Sequence, residues 1–311
     1  MEFRHEPVML GEVLHWLAIK PGGVYADGTL GGGGHSAAIL RMAGEGGSLY
    51  GIDRDPAAIA AASLRLGAYP GFHALKGNFH DAKELLGEAG APPLDGALLD
   101  LGVSSHQLDT PERGFSYHED APLDMRMDPA SGIPAAQWLK NVTQQELTRV
   151  LYDYGEEKWA ARIAQFVVQR RQQAPISTTG DLVRLIDDAI PKAVRRKDEG
   201  HPARRTFQAI RIAVNDELEP LTSALFELLN CLKPGGRLCV ITFHSLEDRL
   251  VKLAFRSMQN PCVCPPKAPI CTCGRKPVGK VLAGGAVQPT PEEVEGNTRA
   301  RSAKLRVVER L

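Results

Sequence analysis

The sequence predicts an α/β protein in which a parallel sheet is interrupted by a mainly helical insertion, and three stretches of its 311 residues carry that prediction. Residues 23–53 alternate strand, glycine loop, helix and strand. Residues 95–101 form an almost wholly apolar run, as strands covered on both faces do. Beyond Gly102 the alternation gives way to helical periodicity, and strand signals resume only past residue 232.

Taken in order, Gly23–Asp27 predicts a first strand, 28–34 a tight loop, 35–43 a helix and 47–53 a second strand. Pro56 opens an alanine-rich helix over 56–66, and a third strand is expected near 72–77. Residues 104–132, rich in Ser, Asp, Pro, Gly and Met, predict a long loop, which in a compact domain implies function. Helical stripes follow over 135–190, with Ile163, Phe166 and Val167 on one and Leu182, Leu185 and Ile186 on another. One amphipathic helix is expected over 204–232, a turn at Pro234-Gly235-Gly236, a strand over Arg237–Phe243, a surface tail over 257–298 and a last strand near Ala303–Val308. The sheet domain is therefore assigned to 1–104 and 201–311, and the inserted domain to 105–200.

Composition narrows the function classes. No apolar run approaches the roughly 18–20 residues that cross a bilayer, and the acids and proline at the start do not resemble a signal peptide, so a cytoplasmic protein without a membrane partner is expected. Charge is divided unevenly: residues 1–130 hold 9 Lys/Arg against 18 Asp/Glu, net −9, and residues 131–311 hold 28 against 19, net +9. That asymmetry fits a nucleic-acid surface on the second half, or two solvated faces of opposite sign. The densest basic runs are Lys192, Arg195, Arg196 and Lys197 with Arg204, Arg205 and Arg211, and then Lys267, Arg275, Lys276 and Lys280.

The sharpest motif is Asp27-Gly28-Thr29-Leu30-Gly31-Gly32-Gly33-Gly34-His35, between a strand and a helix. Glycines allow positive φ and close approach of a ligand, and the following helix offers N–H groups to an anion. Gly32–Ala37 also satisfies the loose G-x-G-x-x-A dinucleotide pattern, with Asp53 placed to hold a ribose in either case. Against a dehydrogenase stand the acid Asp27 ahead of the glycines, the strand ending in Asp100, and the lack of a hydride-transfer constellation. Phe79, after the third strand, could pack on an adenine. No Gly-Lys-Ser/Thr follows the glycines, which excludes a P-loop.

Taken together, Gly28–Ser36, Gly51–Pro56, Leu98–Ser105, Arg113–Ser116, Pro122–Asp128, Thr206–Arg211 and Thr242–Asp248 resemble one family. It is the bacterial 16S ribosomal RNA (cytosine-N4)-methyltransferases of the RsmH/MraW type, and the resemblance runs from His5 to the C-terminus. It implies a Rossmann-like class I methyltransferase domain carrying an inserted helical, substrate-recognition domain. It implies S-adenosyl-L-methionine as cofactor, contacted by Gly33, Gly34 and His35 at the loop, Asp53 at the ribose, Phe79 near the adenine, and Asp100 and Gln107 near the methionine end. It also implies 16S rRNA as partner, within the small ribosomal subunit, and makes a homodimer possible.

The acceptor would be an exocyclic cytosine amine whose lone pair is delocalised into the ring, so alignment and an acceptor for an N4 hydrogen both matter. Asp100 is the candidate catalytic residue, with Ser104 and Ser105 in the same segment; Asp100 serves equally well as a donor-binding group only. A flipped base could stack on Phe115, Tyr117, Met125, Arg126 or Met127, or those residues pack between domains. His244 is a candidate base contact or a structural histidine. Cys231 and Cys239 lie in apolar stretches and predict core positions. Cys262, Cys264, Cys271 and Cys273 could hold zinc or remain reduced thiols, and no metal is assigned.

Overall fold

The computed structural model describes residues 7–192, 201–265 and 270–311. Contacts divide the chain into two units, Met1–Gly102 with Leu218–Leu311, and Val103–Glu217.

The first unit is built on seven strands: β1 (Val24–Asp27), β2 (Ser48–Asp53), β3 (Phe72–Lys76), β4 (Leu94–Asp100), β5 (Leu232–Thr242), β6 (Gly279–Val281) and β7 (Lys304–Arg310). They lie in the order β3-β2-β1-β4-β5-β7-β6. The five strands from β3 to β5 pair in parallel. β7 runs antiparallel to both β5 and β6. The sheet is thus Rossmann-like, with a reversed strand inserted at one side of the 3-2-1-4-5 core order.

Alternate residues of each strand feed opposite faces. Leu98, Cys239, Ile241, Leu305 and Val307 enter one core with Tyr25 and Leu49, whereas Ala97, Leu99, Leu238, Val240 and Val308 enter another with Tyr50 and Ile52. That is why Gly96–Leu99 is an unbroken apolar run rather than an alternating one. Between the first strands come α1 (Leu10–Leu17, preceding β1), α2 (Gly34–Ala43), α3 (Pro56–Leu66) and α4 (Ala82–Glu88). Helix α3 begins where expected because the Asp55 carboxylate accepts from the Ala57 N–H and Pro56 presets the first turn.

The second unit is helical: α5 (Ser105–Asp109), α6 (Ala135–Asn141), α7 (Gln144–Gly155), α8 (Ala160–Arg171), α9 (Thr179–Ala189) and the helix Ala203–Asn215. Ile163, Val167, Leu182, Leu185 and Ile186 are buried in one cluster with Phe207 and Ile210, and Phe166 packs against it partly buried.

Five expectations need correction. β5 runs through the turn expected at Pro234-Gly235-Gly236, and the tail expected over 257–298 includes the end of the helix Ser245–Gln259, β6 and the helix Pro291–Gly296. The single helix over 204–232 is two helices, Ala203–Asn215 and Leu221–Cys231, separated where Asp216 turns left-handed (φ 49°) and Pro220 follows. The first of these belongs to the inserted unit, because Phe207, Ala209 and Ile210 pack into its core; the insertion is therefore 103–217 rather than 105–200. The loop over 104–132 contains α5 and a 3-10 turn at Pro111–Arg113. Among the described residues no helix is long and apolar enough to cross a membrane.

Candidate functional site

Strand order reverses between β1 and β4, since β2 and β3 extend to one side and β5 to the other. In open parallel sheets ligands sit at that reversal, outside the carboxyl ends of the strands. Acids gather there: Asp27 ends β1, Asp53 ends β2 and Asp100 ends β4, while Glu247 lies in the first turn of the helix Ser245–Gln259 that follows β5.

The glycine loop is stitched to its neighbours by backbone bonds. The Gly28 N–H donates to Leu98 O (2.9 Å), Leu30 N–H to Ile52 O (3.0 Å) and Gly33 N–H to Leu30 O (2.8 Å). A side chain at Gly28 would collide with Leu99, and Gly33 sits at φ 72° as the N-cap of α2, with Leu66 already 3.0 Å from where a Cβ would be. No side chain caps α2. Its N-terminus is an anion site by construction.

Asp27 is buried (1% exposed). It accepts from Ser36 Oγ (2.7 Å) and from the Thr29 N–H (3.1 Å), so it braces the loop from beneath. Burial raises its carboxyl above the ordinary range, and the bonds from Ser36 and Thr29 offset only part of that. Asp53 accepts from the Gly31 N–H (2.8 Å) and the Asp55 N–H (2.9 Å), one bond at each oxygen. Burial pushes its carboxyl up to about 6 despite those two N–H groups.

Asp100 is held from its backbone, whose N–H donates to Thr29 Oγ1 (2.6 Å). Its side chain keeps 26% of its surface accessible, yet Oδ1 is covered and has no hydrogen-bond partner. Burial, and then the carboxylates of Asp27 and Glu247, push its carboxyl up to about 8. Facing Oδ2 at 3.7 Å is Nδ1 of His35, a buried ring whose Nε2 donates to Val8 O (2.9 Å). Phe79 opens a 3-10 turn after β3, packs half-buried and meets the His80 ring edge-on at 4.3 Å. Burial, then the Arg54 charge, drive His80 down to about 4, so it is neutral.

Gly33, Gly34, His35, Asp53, Phe79 and Asp100 thus all stand on the first unit, around one loop. Gln107 stands in the second, 5% exposed, where it forms a capping box: its N–H donates to Ser104 Oγ (3.2 Å) and its Oε1 accepts from the Ser104 N–H (3.0 Å). Ser104 is thereby occupied as a helix cap. Sequence reasoning missed Thr29, Ser36, His80 and Glu247. Thr29 and Ser36 flank the glycines and could have been suspected; nothing local marks Glu247 as a buried acid.

Other candidates have structural duties. Phe115, Met125 and Met127 are buried in the inserted unit's core, and Arg126 is held by both oxygens of Asp124 (2.8 Å each). Tyr117 stacks on His201 (4.6 Å) and meets Phe207 edge-on. His244 caps the helix Ser245–Gln259, with Nε2 3.0 Å from Glu247 Oε1 at an angle that makes no hydrogen bond. Arg211, assigned above to a basic run, is instead clamped by both oxygens of Glu217 (2.9 Å each). Arg204, Arg275, Lys276 and Lys280 are exposed, whereas Arg195, Arg196, Lys197 and Lys267 lie outside the described residues. Cys239 is fully buried and Cys231 partly so.

The chain is 53% identical over 311 residues to Ribosomal RNA small subunit methyltransferase H of Trichlorobacter lovleyi, covering 100% of this chain and 99% of that one. It is 51% identical over 312 residues to the protein of the same name from Symbiobacterium thermophilum, covering 100% and 98%. It is also similar to the crystal structure of a rRNA methylase from Streptococcus thermophilus, 11% identical with a TM-score of 0.43, covering 100% and 99%. Residues 2–311 match the MraW methylase family, and the chain belongs to it.

Proposed function

We propose that this protein transfers a methyl group from S-adenosyl-L-methionine to the exocyclic N4 of a cytosine in the decoding region of small-subunit (16S) ribosomal RNA, in the cytoplasm. The observation that carries the donor is the acidic groove at the strand reversal, above all the covered, unpartnered Oδ1 of Asp100 among the carboxylates of Asp27 and Glu247. Carboxyl groups under a glycine loop, which a neighbouring cation would draw into their ionised form, fit a ligand with a cationic sulfonium and ammonium. The family and its full-length relatives' names support the RNA substrate.

When bound, S-adenosyl-L-methionine supplies a methyl carbon activated by positively charged sulfur. The chain's own residues then have separable tasks. Asp53 accepts from ribose hydroxyls with lone pairs its two N–H partners leave over. Gly33, Gly34 and the start of α2 would receive the ligand without a side chain in the way, and Phe79 would pack on the adenine. Asp100 would hold the charged methionine end, and the family resemblance implies Gln107 as a further donor contact.

The donor would supply the methyl group and leave as a neutral thioether, and the cytosine N4 that takes the methyl would have to shed a proton. Asp100 is the group assigned to accept the N4 hydrogen bond, since a carboxyl near neutrality can both hold and release a proton. Proximity and alignment supply most of the remaining acceleration. The inserted unit, 103–217, is the candidate substrate-recognition domain. The family resemblance also supports an acceptor presented within the small subunit and a homodimer, the latter checked by light scattering. The deciding experiment incubates the protein and labelled donor with small subunits from cells lacking the modification, followed by nucleoside analysis. N4-methylcytidine is expected; label at another atom, or none, refutes the assignment.

A further inference from the structure

Four cysteines lie far along the chain from the glycine loop and take no part in the proposed chemistry. They sit in the excursion between the helix Ser245–Gln259 and β6, whose base is tied by the Val278 N–H to Met258 O (2.9 Å) and the Val281 N–H to Gln259 Oε1 (2.7 Å). Beyond that tie, apolar packing cannot hold the excursion: Val263 is 63% exposed and Ile270 75%.

The thiols nevertheless converge. Cys262 and Cys271 sulfurs are 3.6 Å apart, Cys264 and Cys271 3.8 Å, Cys271 and Cys273 3.5 Å, and Cys273 and Cys262 3.8 Å. All four ligand atoms lie within 4.8 Å of one another. A tetrahedral ion with Zn–S bonds of about 2.3 Å has S···S edges of about 3.8 Å, which these separations approach. A disulfide needs about 2.05 Å, and all four cysteines are free. A peptide N–H, that of Thr272, also points at a sulfur, Cys264 Sγ (3.4 Å), as suits a thiolate more than a thiol.

We propose that Cys262, Cys264, Cys271 and Cys273 form a tetrathiolate site for one structural zinc ion. Four soft ligands, with no carboxylate or imidazole among them, select zinc over magnesium or calcium. Each Cys-x-Cys pair supplies two corners, one from either side of the excursion. The ion replaces the missing apolar core and fixes the backbone just ahead of Arg275 and Lys276, both exposed. The site stands apart from the donor groove and does not depend on the identity of the methyl acceptor.

The test uses the full chain, purified without a histidine tag. Elemental analysis should find one zinc per chain, and cobalt exchanged into the site should give the intense visible bands of a tetrahedral tetrathiolate. The variant Cys262→Ser/Cys273→Ser should carry less than a tenth of that zinc. Circular dichroism should show that its sheet and helices remain. Trypsin should cut after Arg275 at least tenfold faster in the variant, or after chelation, than in the zinc-loaded protein. Metal-free chain with four titratable thiols, two disulfides by mass spectrometry, iron in place of zinc, or zinc retained by the variant would each overturn the proposal.

Discussion

Two carboxyls set the behaviour of the groove, and they differ in what holds them. Asp53 already accepts two backbone N–H bonds, so it is both a brace for the loop and a ribose acceptor. Asp53→Ala should weaken donor binding by calorimetry about 10–100-fold, the worth of one charged hydrogen bond. Asp100 should govern the pH dependence. Its folded pKa, about 8, lies above the unfolded value, so it carries a proton at neutrality, and a cationic ligand favours the ionised form. Donor affinity should therefore rise with pH up to about 8 and then level, with a proton released on binding. In the ligand-free protein the sign is opposite. The folded state binds the extra proton, so this group's contribution to stability falls as pH climbs from about 4 towards 8. Asp100→Asn should flatten both profiles and abolish turnover; an unchanged affinity profile would remove Asp100 from the donor site. These residues were legible because a strand ending in an acid and a loop needing positive φ leave marks in sequence. Glu247 was not, because its burial depends on folding back under Phe243 and His244, whose N–H groups it accepts.

At the scale of elements, the break after Asn215 is the main feature that periodicity concealed. Leu218, Leu221 and Leu225 continue the apolar stripe of Phe207 and Ile210, so spacing alone joins two helices; Pro220 was the overlooked punctuation. The break is closed by side chains. Asn215 Nδ2 donates to Met125 O (2.7 Å) and its Oδ1 accepts from the Met127 N–H (2.8 Å), while Arg211 grips Glu217. Because Glu217 is 8% exposed, Arg211→Ala should cost about 3–5 kcal/mol in chemical denaturation by stranding a buried charge. Arg211→Met with Glu217→Leu should recover most of it; a loss below 1 kcal/mol for the single variant would reduce the pair to a surface contact. The motifs Pro122–Asp128 and Thr206–Arg211 therefore carry packing as well as identity, which sequence resemblance cannot separate.

Over the whole molecule, the charge asymmetry legible in composition resolves into particular groups. Arg211 and Arg126 are committed to internal pairs, which leaves Arg204, Arg275, Lys276 and Lys280 among the exposed cations suited to phosphates. Replacing Arg275 and Lys276 by Ala should weaken RNA binding and lower the slope of log affinity against log salt by about 1–2. An unchanged slope would place the phosphate contacts elsewhere. The sheet's parallel core was legible because its central strands are apolar on both faces, whereas β6 is only three residues long, Gly279–Val281, and carries no readable alternation.

Joining β4 to β5 has a cost that arises before the protein is complete. Nascent chain emerges with β1 to β4 first, and the whole of 103–217 must follow before β5 appears. Until then β4 has one hydrogen-bonding edge bare, with Leu98 and Leu99 lacking the later neighbours that complete the core on either face. A polypeptide halted near Leu218 should be a client for chaperones and prone to self-association, although its helical unit is already entire.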